Sequence, residues 1–344
     1  MNEPLALGGG AGLWRGPQAP RIAVVIPCYR AAAMVLAVIR AVPGEVERIY
    51  VVDDACPDGT AALIADAIAD PRIALLRNPK NLGVGGAVKR GYRAAMTDGA
   101  DIVVKLDGDG QMDPSFIPRL VAPIAAGEAD YAKGNRFARR HLMPAAAAGG
   151  RRMPALRRVG NSLASFFHKG VTGQWGVIDP ANGYTAIHRG ALEAIDLEAA
   201  SDCYFFETDM LFQLGLAGAV VKDVPLPAHY AGEVSSLKVR NVATRFPGLA
   251  LHRFLKRIAL RYFLDDFNVA SMQMLVGLPL LLIGTALGFY HWLGALESGV
   301  AASAGTVMFA ALPIILGFQL LLAAVSYDVA SRPAAPLSRR PPGE

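Results

Sequence analysis

From Arg21 onward, short runs rich in Val and Ile alternate with segments whose apolar residues recur at helical spacing: RIAVVIP, AAAMVLAVIRAV, RIYVVDD, DGTAALIADAIAD, RIALLRN, LGVGGAVKRGYRAAM and DIVVKLD. Strand runs that are apolar throughout are buried on both faces, so the pattern predicts βαβ units and a mostly parallel sheet with helices on both sides. Further on, RRMPALRRVGNSLASFFHKGV predicts a helix with a basic start, DPANGYTAIHRGALEAID a turn, a strand and a helix, and FFETDMLFQLGLAGAVVKDVPL a helix and an edge strand. MPAAAAGG, residues 143–150, reads as a mobile loop.

The C-terminal third reads differently. Residues 245–267 are amphipathic, with Leu249, Leu251, Phe254, Leu255, Ile258, Leu260 and Phe263 set among cations, a pattern that lies in a membrane interface. Residues 272–296 and 305–327 are nearly uncharged and long enough to cross a bilayer, which takes about 20 residues. Core helices of that length show a polar face, and these do not. The short linker at 297–304 puts both outer ends of the hairpin on one side. Flanking Arg253, Lys256, Arg257 and Arg261, then Arg332, Arg339 and Arg340, put that side in the cytosol. The expected division is a flexible tail (1–20), an α/β domain (21–240), an interface segment (241–268), a two-helix transmembrane hairpin (269–330) and a cytosolic tail (331–344).

Composition agrees: 53% of residues are hydrophobic and 18% charged, a shift toward membrane proteins. The first twenty residues lack the basic start, apolar core and cleavage site of a secretory signal. Cys28, Cys56 and Cys203 have no metal spacing and no pairing logic, and read as small buried thiols in a reducing compartment. Residues 131–178 hold nine Lys or Arg and no acid, and residues 234–264 hold seven and none. Anionic lipid headgroups or a lipid phosphate are the natural partners of these segments. Nucleic acid is excluded as a partner, because no helix-turn-helix, zinc-finger or stacking-aromatic signature is present. The six histidines are scattered without ligand spacing.

The chemistry concentrates at DIVVKLDGDGQMDP, where Asp107, Asp109 and Asp113 crowd the end of a predicted strand. Like charges this close repel unless a cation or proton sits among them. Asp107 and Asp109, at i and i+2 with Gly between, offer hard oxygen ligands suited to Mg²⁺ or Mn²⁺, and Mg²⁺ commonly completes its shell with substrate phosphates. Pro27, Asp53 and Asp54 fall at neighbouring strand ends, where ligands of such sheets bind. Gly83, Gly85 and Gly86 lack the third Rossmann glycine, which stands as Val88, so they are expected to let the backbone pass close to a ligand at a helix start rather than to hold a dinucleotide.

VVIPCYR, VVDDACPDGT, NPKNLGVGGAVKRGY, KLDGDGQMDP, NGYTAIHR and FFETDMLFQL, in this order and spacing, resemble glycosyltransferase family 2, and within it the polyprenyl-phosphate sugar transferases. The resemblance covers about residues 21–240. It implies a GT-A nucleotide-sugar-binding fold and inverting transfer of a hexose from a UDP- or GDP-sugar. By position, Pro27, Tyr29, Asp53 and Asp54 match donor contacts, with Gly83, Lys89, Asp107 and Gln111 beside them. Asp107 and Asp109 match the metal pair. Asp179, Glu207 and Asp209 match acidic residues at the sugar and acceptor. Arg30 and Ala31 depart from the Asn-Glu that often follows the first-strand aromatic.

A lipid phosphate, with a second pKa of about 6, is already anionic and needs cations more than a base. Arg136, Arg157 and Arg158, with Ser162 as a hydroxyl donor, are the expected phosphate contacts. A hydroxyl of a glycolipid or polysaccharide is the alternative acceptor, and it would need Asp209 as base. A silent membrane adaptor that kept the fold is a third reading, opposed by the intact Asp53, Asp107, Asp109 and Asp209. A homo-oligomer is left open.

Overall fold

The structure, a computed structural model, describes residues 19–67, 69–137, 155–226 and 239–340. The expected N-terminal tail, apart from its last two residues, and the expected loop at 143–150 lie outside them. The chain divides into two units, one of residues up to Leu251 together with Pro333 onward, the other His252–Arg332.

In the first unit the strands are β1 (Ile22–Cys28), β2 (Arg48–Asp53), β3 (Ile73–Arg77), β4 (Ile102–Lys105), β5 (Tyr131–Asn135), β6 (Thr185–His188) and β7 (Val221–Pro225). They form one sheet in the order β3-β2-β1-β4-β6-β5-β7. β6 runs antiparallel to β4 and β5, and the other pairings are parallel. The first helices are α1 (Val35–Arg40), α2 (Thr60–Ala67), α3 (Gly83–Thr97) and α4 (Ile117–Ala125). They are followed by α5 (Ala155–Thr172), α6 (Arg189–Ala194) and α7 (Phe206–Leu216).

Alternate residues of the central strands feed two cores. Val24, Ile26, Val51 and Val104 pack on one face, while Ala23, Val25, Val52 and Val103 pack on the other against Val88, Tyr92 and Met210. This two-sided burial is why the strands read as unbroken apolar runs. At the carboxyl ends of β1 and β2 the chain turns through left-handed residues, Arg30 (φ 57°) and Ala55 (φ 55°). Strained backbone of this kind collects at functional sites.

The interface segment forms α8 (Val239–Ala259), which leads into a π-helical turn, Leu260–Leu264. Leu251, Phe254 and Leu255 are exposed on it, as are Leu264 and Phe267 beyond. In the second unit, α9 (Val269–Ser298) and α10 (Ala304–Ala330) are apolar, span-length helices with only 11% of each hydrophobic window buried. That exposure separates them from core helices, and they form the membrane hairpin. Gly277 and Gly284 on α9 meet Ala310 and Gly317 on α10. A Cβ at Gly317 would lie 2.7 Å from the Gly277 carbonyl oxygen, and one at Gly284 would lie 2.9 Å from that of Ala310. Small residues permit this close approach, which stands in for the hydrophobic drive missing in lipid. Asn268 and Ser271 cap α9 reciprocally.

Arg257 does not contact lipid headgroups as expected. It is 2% exposed and donates to Asp328 Oδ1 and Oδ2 at 2.8 and 2.9 Å, and Tyr262 Oη donates to the same Oδ1 at 2.5 Å.

Candidate active site

Register places three side chains in a row across the sheet. Lys105 on β4 pairs with Thr185 on β6, and Thr185 pairs with Lys133 on β5. The two lysines, 2% and 0% exposed, are therefore two strands apart in the same register. Glu207 at the start of α7 closes over both, with Oε1 3.1 Å from Lys105 Nζ and Oε2 3.2 Å from Lys133 Nζ. Lys105 Nζ also donates to Asp107 Oδ1 at 2.8 Å and to the Gly183 carbonyl at 3.2 Å. Lys133 Nζ donates to the Asn182 carbonyl.

Burial alone would raise the Glu207 pKa, but Lys105 and Lys133 more than offset it and hold the carboxyl below its ordinary range. Burial would likewise lower Lys105, yet Asp107 and Glu207 outweigh it and raise the ammonium pKa. Each shift favours the charged form, as a buried network requires when its members are paired. Part of the crowding in the Asp cluster is relieved internally: Lys105 neutralises Asp107, and Asp113 accepts from the Ser115 N–H as the cap of a short helical turn. Asp109 Oδ1 accepts from the Gln111 N–H at 3.0 Å, and Gln111 itself is exposed.

The Asn182-Gly183-Tyr184 turn explains its own residues. Asn182 Nδ2 donates to the Gly134 carbonyl and its Oδ1 accepts from the Tyr184 N–H, so the turn offers successive carbonyls to the two lysines. Gly183 is required by space: a Cβ there would lie 2.5 Å from Lys105 Nζ and 2.8 Å from Asp107 Oδ2. The missing side chain leaves a cradle over Asp107. Among the described residues no group of three or more His, Cys, Asp or Glu is placed to hold a metal. Two hard carboxylates beside open space fit a divalent ion that draws its remaining ligands from a diphosphate, and do not fit an all-protein cage.

A second cluster lies along β5 and its neighbours. Arg136, one residue past β5, donates from Nε to Asp179 Oδ2 at 2.8 Å and from Nη2 to Oδ1 at 3.0 Å, a bidentate pair. Asp179 is 1% exposed and Arg136 is partly open. Asp223 on β7 accepts at one oxygen from both Asn135 Nδ2 and the Ile178 N–H, each at 2.8 Å, holding the residues just before Arg136 and Asp179. Burial pushes its carboxyl up to about 6.

The other expected site residues have the following surroundings. Asp54 accepts from Asn78 Nδ2, the Leu82 N–H and the Gly83 N–H, so it pins the start of α3. Lys89 pairs with Asp202 at 2.8 Å and donates to the Glu198 carbonyl. Gly83 and Gly85 permit close approach, but to the backbone at Ser201 and Asp202: a Cβ on Gly85 would lie 2.2 Å from the Ser201 oxygen. Asp209 Oδ2 accepts from Ser201 N–H and Oγ, and its side chain is enclosed. Residues at i and i+2 on a helix point about 200° apart, so Glu207 and Asp209 cannot share one pocket. Asp53 stands at the end of β2, with Oδ1 accepting from the Cys56 N–H, and Pro27 and exposed Tyr29 stand at the end of β1. Ser162 is exposed on α5; Arg157 and Arg158 fall on α5, with side chains outside the described residues.

The sequence profile described as glycosyl transferase family 2 matches residues 23–196, which include β1 from its second residue, the Asp107–Asp109 turn, Asp179 and Gly183. The chain belongs to glycosyl transferase family 2. The polyprenol monophosphomannose synthase of Mycolicibacterium smegmatis is 32% identical to this transferase over 211 residues, which is 60% of this chain and 76% of that protein. The undecaprenyl-phosphate mannosyltransferase of Micrococcus luteus is 32% identical over 214 residues, 60% of this chain and 82% of that one. The fold is also that of mannosyl-3-phosphoglycerate synthase from Rubrobacter xylanophilus, with a TM-score of 0.51 at 17% identity over 72% of this chain and 77% of that chain. Lys105, Lys133, Asn182 and Gly183 belong to the cluster around Glu207 without being singled out in the sequence as candidate site residues. The signal available was a lysine within each strand run, unusual for a buried position.

Proposed function

We propose that this transferase moves a hexose, with inversion, from a UDP- or GDP-sugar to a polyprenyl phosphate at the cytosolic membrane face. Two relatives named for polyprenol- and undecaprenyl-phosphate chemistry support the acceptor class. The observation that carries it is that the three acidic residues matched to the sugar and acceptor are already engaged. Glu207 is held between two lysines, Asp179 by Arg136, and Asp209 by Ser201. A hydroxyl nucleophile needs a base, whereas a phosphate monoester arrives ionised.

In this reading the acceptor phosphate oxygen attacks the anomeric carbon as the bond to the donor diphosphate breaks. The electron pair leaves on the diphosphate, and one in-line displacement inverts the centre. Asp107 and Asp109 would hold Mg²⁺ or Mn²⁺, which when bound offsets the charge on the leaving diphosphate. Lys105 orients Asp107, and Glu207 fixes both lysines. Pro27, Tyr29 and Asp53 frame the nucleoside, with Gln111 beside the diphosphate. Arg136, oriented by Asp179, faces the acceptor phosphate, with Arg157, Arg158 and Ser162 on α5 completing the set.

Turnover of two variants separates the acceptor classes. Asp107→Asn should lose about 100-fold or more, the scale of removing one preorganised electrostatic group. Asp209→Asn, compared per folded molecule, should stay within a few-fold. The opposite order would make Asp209 the base and a hydroxyl the acceptor.

A further inference from the structure

The chain leaves the catalytic unit after Leu251, forms the hairpin, and rejoins the same unit at Pro333. What it does on return is specific. Asp130, immediately before β5, is 0% exposed. Its Oδ2 accepts from the Val220 N–H at 2.8 Å, and both its oxygens accept from the Leu337 N–H at 2.9 and 3.0 Å. The Leu337 side chain packs against the core cluster that includes Tyr131, Leu192 and Leu214.

The two arginines that follow each reach the C-terminal turn of a helix. Arg339 Nη2 donates to the Ala126 carbonyl, the C-cap of α4, at 2.6 Å. Arg340 Nη2 donates to the Gly218 carbonyl, one residue past the C-cap of α7. Helix C-termini carry unpaired carbonyls and partial negative charge, and a guanidinium satisfies both. The receiving surface is shaped for this: Gly127 is left-handed (φ 63°), and a Cβ there would lie 2.6 Å from Arg339 Nε. Arg339 and Arg340 read in sequence as cations beside a membrane, yet both are committed to protein carbonyls. The helix capped by Arg340 carries Glu207 at its other end.

We propose that residues 333–340 are an integral strap of the catalytic unit, seated on a site built around the Asp130 carboxylate, without which that carboxylate and the Ala126 and Gly218 carbonyls lose donors they have in the fold. The surface is an intramolecular docking site for the segment that follows the membrane hairpin.

Hydrogen–deuterium exchange on full-length protein in detergent tests this without reference to activity. The amides of Leu337, Arg339 and Arg340 donate to Asp130, Pro336 and Leu337 oxygens respectively. They should exchange about 10- to 100-fold more slowly than in a free peptide, the protection expected of one to two net hydrogen-bond energies. Exchange at the free-peptide rate would overturn the proposal, whatever the variants do. Leu337→Pro, which deletes the donor to Asp130, should lower the unfolding temperature by roughly 5 °C or more. A peptide of residues 333–344 should bind a chain ending at Arg332 and restore the lost degrees. An unchanged unfolding temperature on truncation would also contradict the strap.

Discussion

Lys105 and Lys133 show how much a single side chain's meaning depends on partners remote in sequence. Lys133 was one of nine cations in an acid-free segment and read as a contact for an anionic lipid. In the fold it is enclosed against Glu207, 74 residues away. The Asp107–Asp109 pair was legible because its spacing and strand-end position are local. The pairing of Lys105 with Asp107 is as local, but the Glu207 carboxylate and Gly183 carbonyl that share Lys105 reach it only once β4, β6 and α7 converge. Adjacent aspartates Asp53 and Asp54 read alike, yet Asp54 takes three donors from the β3–α3 connection while Asp53 stays at the strand end. Lys133→Met should therefore cost about 1–3 kcal/mol in denaturant unfolding, because it removes one of the two cations on a buried carboxylate and leaves the Asn182 carbonyl without its donor. Adding Glu207→Leu should recover part of that loss. A neutral single variant would show that the network is not tightly desolvated.

Elements were legible where periodicity was long and clean. The readings from Arg21 to Asp107 correspond to β1 through β4 with α1 to α3 between them. β5 and α4 were not read, because YAKGN is short and carries Lys and Gly, and the α4 sequence carries two prolines. The α7 sequence predicts its helix, but pairs Glu207 with Asp209 where helical geometry sends them to opposite sides. The α5–α7 contact carries a pH signature. His168 Nε2 lies 2.7 Å from Thr208 Oγ1, and burial, reinforced by Lys133, pushes its pKa down to about 4. An unfolded histidine titrates near about 6.5, so between these values the unfolded chain binds the extra proton. Stability from this group is present above about pH 6.5 and lost as pH falls through 4. His168→Gln should flatten that part of the stability–pH curve measured by denaturant unfolding between neutrality and acid. Asp223 works in the opposite sense, since its raised pKa favours the folded state as pH falls through about 6. An unchanged slope in the variant would remove His168 from the account.

At the scale of the whole molecule, the membrane hairpin was the most legible feature, because twenty uncharged residues need no partner to be recognised. Its polar anchors were not legible: Arg257 and Asp328 are 71 residues apart and become one buried pair. That the chain re-enters the catalytic unit after α10 requires an even number of crossings, which agrees with both outer ends facing the cytosol. A cysteine at Ala301, in the connection between α9 and α10, should react with an impermeant thiol reagent only from outside, and exposed Cys203 only from the cytosolic side. Labelling of both from one side would invert or abolish the hairpin. The central claim is that an already ionised lipid phosphate, not a hydroxyl, receives the sugar. The most direct measurement gives detergent-solubilised protein UDP- and GDP-hexoses with undecaprenyl phosphate and, separately, a neutral glycolipid, with Mn²⁺ or EDTA, and identifies products by mass spectrometry. The account predicts a glycosyl phosphodiester of the lipid, formed only with the metal and only from the phosphate. A glycosidic product on the neutral lipid, with undecaprenyl phosphate unconsumed, would contradict it.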